Sequence, residues 1–264
     1  MIINLLSIIT IILYCTAAGL QLGRLLGRLP QSKIWLWVIG LLAIIIHAYL
    51  LHRWIDIGNM QNLSLFTVYS QVTWIIAVII SIFFFIKPVD LLAIISFPLA
   101  ALSIILVWLF PVHQLIDTLA TPKQLFHILL AFLTISVLCL AACQAIFLAL
   151  QERLLRKNYQ SAAVQSLPPI EAMEKLLFRI IIIGFILLTL VLISSLLLFP
   201  DMFIGRLWQH TFLGLFAWIV FAILIYGRYA LGWRSRIAIR WTLTGVVILF
   251  ISYFGVQLLL DLYG

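Results

Sequence analysis

The run Ile180-Ile181-Ile182-Ile183-Gly184-Phe185-Ile186-Leu187-Leu188-Thr189-Leu190-Val191-Leu192-Ile193-Ser194-Ser195-Leu196-Leu197-Leu198-Phe199 decides the fold. It carries no charged side chain and has the roughly 20 residues that a helix needs to cross a hydrocarbon core. Similar runs on either side predict helices over about 2–22, 34–53, 63–86, 89–110, 123–150, 180–199, 211–230 and 240–260. The runs are continuous and lack the alternation of β-barrel strands. The whole chain agrees: of 264 residues 66% are hydrophobic and 9% charged, with mean hydropathy +1.26, whereas soluble proteins carry about a quarter charged residues. The sequence therefore predicts an all-α polytopic membrane protein with about eight transmembrane helices, one membrane-embedded domain over 1–264, with the lipid bilayer as its first partner. This leaves no room for a soluble catalytic domain, a nucleotide-binding fold or a nucleic-acid reader.

The net charge of +8 is explained by topology. The first, third, fifth and seventh connections hold 13 of the 16 Lys and Arg residues, among them Arg24, Arg28, Lys33, Lys87, Arg153, Arg234 and Arg236. The second, fourth and sixth hold only Arg53, Lys123 and Arg206, and the two ends hold none. Positive loops stay in the cytoplasm, so both termini are expected outside. The first run has no basic residue before its apolar core and is read as a retained span rather than a signal peptide. The only long connection, 151–179, ends in Pro168-Pro169 ahead of Glu171 and Glu174; it reads as an ordered hinge whose acids face the positive end of a new helix. Cys15, Cys139 and Cys143 all lie in apolar runs with no CxxC spacing, so no redox motif or disulfide framework follows.

With orientation set by charge, all five histidines fall on the outer half. His52 ends the second helix, His113 lies in the loop after the fourth, His127 enters the fifth and His210 begins the seventh. His47 lies about 7.5 Å deeper than His52 at the helical rise, where an imidazole needs a partner in the bundle or a polar cavity. His47 and His52 differ by about 140° around the helix and cannot share one metal. Each outer cation has a histidine close by: Arg53 beside His52, Lys123 four residues before His127, and Arg206 four before His210. Thr121-Pro122-Lys123-Gln124 reads as a capping box that sets Lys123 and His127 on one face. Trp54 and Trp208 adjoin His52 and His210 and could wall a pocket; the other tryptophans fit an interfacial belt. Imidazoles flanked by cations at an apolar mouth suit a flat apolar ligand with a metal centre and acidic arms. Haem has that form, bound through iron to His and through propionates to Lys or Arg. Zinc or copper could use the same imidazoles, although no tight metal-ligand spacing is present. Gln71 and Gln144 lie inside spans, where glutamines hydrogen-bond between helices.

The C-terminal third resembles a known family. Pro169-Ile170-Glu171-Ala172-Met173-Glu174-Lys175-Leu176-Leu177-Phe178-Arg179, then Gly184-Phe185-Ile186-Leu187-Leu188-Thr189, Gly232-Trp233-Arg234-Ser235-Arg236 and Tyr253-Phe254-Gly255-Val256 are similar to late segments of the cytochrome c assembly membrane-protein family. Asn62-Leu63-Ser64-Leu65-Phe66 and His127-Ile128-Leu129-Leu130-Ala131-Phe132 resemble it more weakly. The resemblance implies a multi-spanning protein of a bacterial plasma (inner) membrane that handles haem on its outer side through axial histidines. His127 and His210 fall where such ligands of a b-type haem (haem b) are expected. His47, His52, His113, Arg53, Lys123, Arg206, Trp54 and Trp208 are the wider candidate contacts, and other membrane proteins of cytochrome maturation are candidate partners. The branch it implies is HemX-like. The tryptophan-rich loop of the synthetases, of the form WGxxWxWD, is replaced by Pro200-Asp201-Met202-Phe203-Ile204-Gly205-Arg206-Leu207-Trp208-Gln209-His210, so synthetase activity is not expected.

Two other functions compete. A membrane scaffold or regulatory partner subunit would keep its histidines for structure and use basic loops such as Arg234, Arg236 and Arg240 for contact. A transporter is least favoured, because no Asp or Glu reads as an intramembrane group available for proton coupling and no inverted repeat or broken helix is visible. The outer acids Asp56, Asp117, Asp201 and Asp261 are scattered, so no catalytic pair can be assembled and an enzyme is not expected.

Overall fold

The computed structural model describes residues 2–28, 33–57, 60–86, 89–111, 115–117, 122–157, 167–198 and 208–255. Among them are eight long helices: α1 (Ile2–Leu25), α2 (Ile34–Ile55), α3 (Leu65–Ile82), α4 (Ala93–Leu109), α5 (Pro122–Lys157), α6 (Ile170–Leu198), α7 (Trp208–Ala230) and α8 (Ser235–Phe250). Seven are long and apolar enough to cross a membrane. The 16-residue α8 continues into a π turn over Ile251–Gly255. In hydrocarbon every backbone group must bond within its own segment, which is why each apolar run closes as a helix.

Two helices outrun their apolar runs. α5 continues to Lys157, and α6 starts at Ile170 directly after Pro168-Pro169, so its first turns carry Glu171, Glu174 and Lys175 ahead of the apolar stretch. Three short antiparallel strands were not foreseen: β1 (Asp56–Ile57), β2 (Met60–Asn62) and β3 (Leu115–Asp117), with Ile57 opposite Met60 and Gln61 opposite Ile116. They join the end of α2 to the loop after α4.

Packing divides the chain into two compact units, residues 1–118 with 151–169, and 119–150 with 170–264. In the first, α1 lies against α2 and α4, and α3 against α2 and α4. Ala43, Ala77 and Ala100 are fully buried and Ala17 nearly so, and such small residues let membrane helices approach closely. Trp37 Nε1 donates to the Ser81 carbonyl at 3.0 Å and Trp74 Nε1 to the Ile44 carbonyl at 3.0 Å, so these two tryptophans join α2 to α3. α1 reverses the pattern of a soluble helix: Ser7, Thr10, Tyr14 and Gln21 are buried while Ile2, Leu5, Ile8 and Ile12 are exposed. Its end is a Schellman turn, with Gly27 at φ +69°, Gly27 N–H on the Arg24 carbonyl and Arg28 N–H on the Gly23 carbonyl.

Beyond that turn lies an acid that the sequence reading did not place inside the bundle. Asp90, 2% exposed, pairs with Lys33 at 2.6 Å and Arg24 at 3.6 Å, and Arg24 also donates to Gln21 Oε1 at 2.9 Å.

In the second unit α6 packs on α7 and α7 on α8. Gly184 on α6 meets Leu138 on α5 so closely that a Cβ would stand 2.4 Å from Leu138 Cδ2. As expected of a glutamine within a span, Gln144 reaches a neighbouring helix, donating to the Met173 carbonyl at 2.9 Å. Two of the segments that carry the family resemblance, 169–179 and 232–236, meet through Arg228. Glu174, also buried, lies 3.7 Å from Arg228, whose guanidinium stands over the Phe178 ring and donates to the Trp233 carbonyl. Gly232, at φ +67°, lets the chain turn so that Trp233 N–H returns to the Gly227 carbonyl at 3.0 Å.

Candidate functional site

The last turn of α2 presents His52, Arg53 and Trp54 at one end of the first unit. His52 Nδ1 lies 2.6 Å from Asp56 Oδ2 in an exposed i,i+4 pair. Arg53 and Trp54 instead line a pocket of about 160 Å³. Its aromatic walls include Trp108 and Phe110 from the end of α4, and Ser7 of α1 and Thr67 of α3 contribute buried hydroxyls. Asn62 also lines it, with its Oδ1 accepting the Ser64 N–H at 3.2 Å just before α3 begins. Of the residues singled out from sequence, the pocket thus brings together Arg53 and Trp54; His47 and His52 do not line it.

His47 lies deeper and is fully buried. Its Nδ1 is 3.2 Å from the Tyr14 hydroxyl and its Nε2 is 2.9 Å from Ser70 Oγ. The network continues from Ser70 to Ser103 at 3.3 Å and from Ser103 to Thr73 at 2.9 Å. Tyr14 comes from α1, His47 from α2, Ser70 and Thr73 from α3, and Ser103 from α4, so one polar layer ties four helices together. Tyr14 meets the imidazole edge-on, with ring centroids 5.7 Å apart. Both ring nitrogens are engaged by hydroxyls, which is the arrangement of a histidine that serves structure.

His127, on α5 in the second unit, differs. It is half-buried, and its Nδ1 lies 2.8 Å from Ser194 Oγ on α6. Ser194 Oγ is also within 2.9 Å of the Val191 carbonyl, an acceptor for its hydroxyl proton. With the Ser194 hydroxyl proton on the Val191 carbonyl, Nδ1 carries the ring proton and Nε2 the lone pair, the tautomer in which an imidazole oriented by a second-shell bond ligates a metal. Lys123 is exposed one turn earlier. The backbone of Trp208 and His210 lies in the first turn of α7; their side chains, and His113 and Arg206 entirely, lie outside the described residues. Among the described residues no group of three or more His, Cys, Asp or Glu could hold a bare metal ion. Haem needs only axial ligands on its iron, and the His127 donor fits that requirement. The 160 Å³ pocket beside Arg53 does not fit a whole macrocycle, being well under the roughly 300 Å³ at which ligand pockets begin.

Ser194, Tyr14, Ser70 and Ser103 were missed by the sequence reading. For α1 a signal existed: Ser7, Thr10 and Tyr14 recur at intervals of three and four residues, the spacing of one helix face.

Fold and site together define a multi-pass membrane helical protein with one oriented, half-buried histidine and one buried, satisfied one. The family model described as Cytochrome C assembly protein matches residues 35–263. The chain is 30% identical over 258 residues to the inner membrane protein YpjD of Escherichia coli K12, covering 97% of this chain and 98% of that protein. It is also 33% identical over 93 residues to the cytochrome c biogenesis protein CcsA of Prochlorococcus marinus MIT 9303, covering 34% of this chain and 29% of that protein. No solved structure gives a significant match. The chain belongs to the cytochrome c assembly protein family and is a multi-pass inner membrane protein.

Proposed function

We propose that this protein binds or passes on haem at the extracytoplasmic end of its bundle, as a HemX-like member of the family that is not itself a cytochrome c synthetase. The observation that carries the reading is His127, half-buried and held at Nδ1 by Ser194 at 2.8 Å, the kind of contact that orients an imidazole for ligation through Nε2. His127 and His210 are assigned as axial ligands of a b-type haem, with Lys123 and Arg206 pairing its propionates and Trp208 beside the macrocycle. Haem supplies the iron; the protein supplies the imidazole tautomer, the ring orientation and the cations. Both termini outside and one functional domain over the whole chain belong to the same proposal, as do partners from cytochrome maturation. Arg53 and Trp54 line a pocket too small for the macrocycle, and the reading does not depend on them.

The test is a haem titration of the detergent-purified protein followed by its Soret and α/β bands. A low-spin spectrum that is lost in His127→Ala and weakened about 10- to 100-fold in affinity by Ser194→Ala supports the reading. A protein that stays colourless with haem added overturns it.

One observation favours the second reading, a scaffold or partner subunit with structural histidines: both nitrogens of His47 are engaged, and His52 is paired with Asp56. Under that reading all five histidines could be replaced without loss of phenotype, while charge reversal at the exposed Arg234, Arg236 and Arg240 would disrupt co-purification.

A further inference from the structure

The pocket at the end of α2 has a chemistry that the haem reading leaves unused. Among the described residues Arg53 is the one charged residue in its lining, and its guanidinium stays charged at any working pH. No Asp or Glu lines the pocket among the described residues, and Asp56, the acid nearest in sequence, is paired with His52. The site is therefore a local positive charge on the side where the loops carry only three of the 16 basic residues.

The two hydroxyls of the lining are already bonded. Ser7 Oγ donates to the Ile3 carbonyl at 2.9 Å, and Thr67 Oγ1 lies 2.8 Å from Ser64 Oγ. A charged headgroup gains little by descending past Arg53, whereas methylene groups gain contact with Trp54, Trp108 and Phe110. The volume of about 160 Å³ admits one end of a molecule rather than the whole of it. Next to the lining residues the helix surfaces are aliphatic and exposed, Leu5 at 58% and Leu109 at 60%, which continues the apolar path along the bundle.

We propose that this pocket holds the head of an anionic phospholipid from the leaflet at that end. The phosphodiester lies on Arg53, the glycerol and first methylenes lie between the aromatic rings, and the acyl chains run down the outside of α1 and α4. A single monoanion matches the single cation, and an amphiphile matches a charged rim above aromatic walls.

The experiment places the full-length protein in nanodiscs with equal amounts of phosphatidylglycerol and phosphatidylethanolamine, then counts lipids retained after release into detergent by native mass spectrometry. The wild type should retain phosphatidylglycerol in preference, Arg53→Gln should lower that retention about fivefold, and Arg53→Lys should keep most of it. Inorganic phosphate in excess should not displace the lipid. Equal retention of both lipids, unchanged retention in Arg53→Gln, or displacement by phosphate alone would overturn the proposal. It does not rest on haem binding: His127→Ala should retain the lipid as the wild type does.

Discussion

Replacing Ser70 by Ala tests whether the polar layer around His47 holds the first unit together. The substitution removes the partner of His47 Nε2 at 2.9 Å and the contact with Ser103 at 3.3 Å. A buried group left without its hydrogen bond costs about 1–3 kcal/mol in water-soluble proteins. Within membranes the average is nearer 0.6 and the maximum about 1.7 kcal/mol, because the unfolded helices also find partners. His47 is fully buried, so Ser70→Ala should fall near the top of the membrane range, about 1.5 kcal/mol. Tyr14→Phe removes only a 3.2 Å bond, at the long limit of normal geometry, and should cost about 0.6 kcal/mol. Coupling is the sharper signature. With one partner gone, the imidazole can take the tautomer that suits the other; with both gone, neither tautomer is satisfied. The double variant should therefore exceed the sum of the singles by about 1 kcal/mol, within the range for residues that share a network. Reversible unfolding in mixed micelles with increasing dodecyl sulfate, followed by circular dichroism, measures all three. Additive effects, or a Ser70→Ala cost no larger than that of Tyr14→Phe, would refute the layer as an energetic unit.

Two further outcomes are expected. Gly184→Ala would drive a methyl to 2.4 Å from Leu138 Cδ2, and Leu138 is fully buried, so overpacking of about 1–3 kcal/mol should lower the unfolding midpoint. Gly214→Ala is its control, since Leu192 lies at an ordinary 3.6 Å, and should be close to neutral in the same assay. Asp90→Asn removes the anion between Lys33 and Arg24, whose side chains are only 17% and 10% exposed. Leaving buried cations unpaired should cost about 3 kcal/mol, the lower part of the range for broken buried pairs, and thermal unfolding in detergent would register it as a loss of several degrees.

The helices were legible because a membrane span needs length and apolarity, both of which can be read from one stretch at a time. Their ends were less so: the first turns of α6 carry Glu171, Glu174 and Lys175, and a search for uncharged runs stops at such residues although the helix does not. Strands of two or three residues carry no period to detect, which hid the small sheet. Asp90 follows Lys87-Pro88 in the sequence at the edge of an apolar run, and nothing local marks it as the shared partner of Lys33 and Arg24. His47 was legible as a residue that needs a partner. The partners themselves, Tyr14 and Ser70, lie 33 and 23 residues away on other helices, and only packing brings them together. The same holds for His127, whose Nδ1 meets Ser194, 67 residues further on.

The central claim is that His127 lends this family member a haem ligand. The most direct test is the reduced-minus-oxidised spectrum of the protein purified from haem-supplemented cells, wild type beside His127→Ala at matched helicity. The account predicts the α and β bands of a low-spin b-type haem in the wild type and their loss in the variant. A wild type without those bands, or a variant that keeps them unchanged, would contradict it.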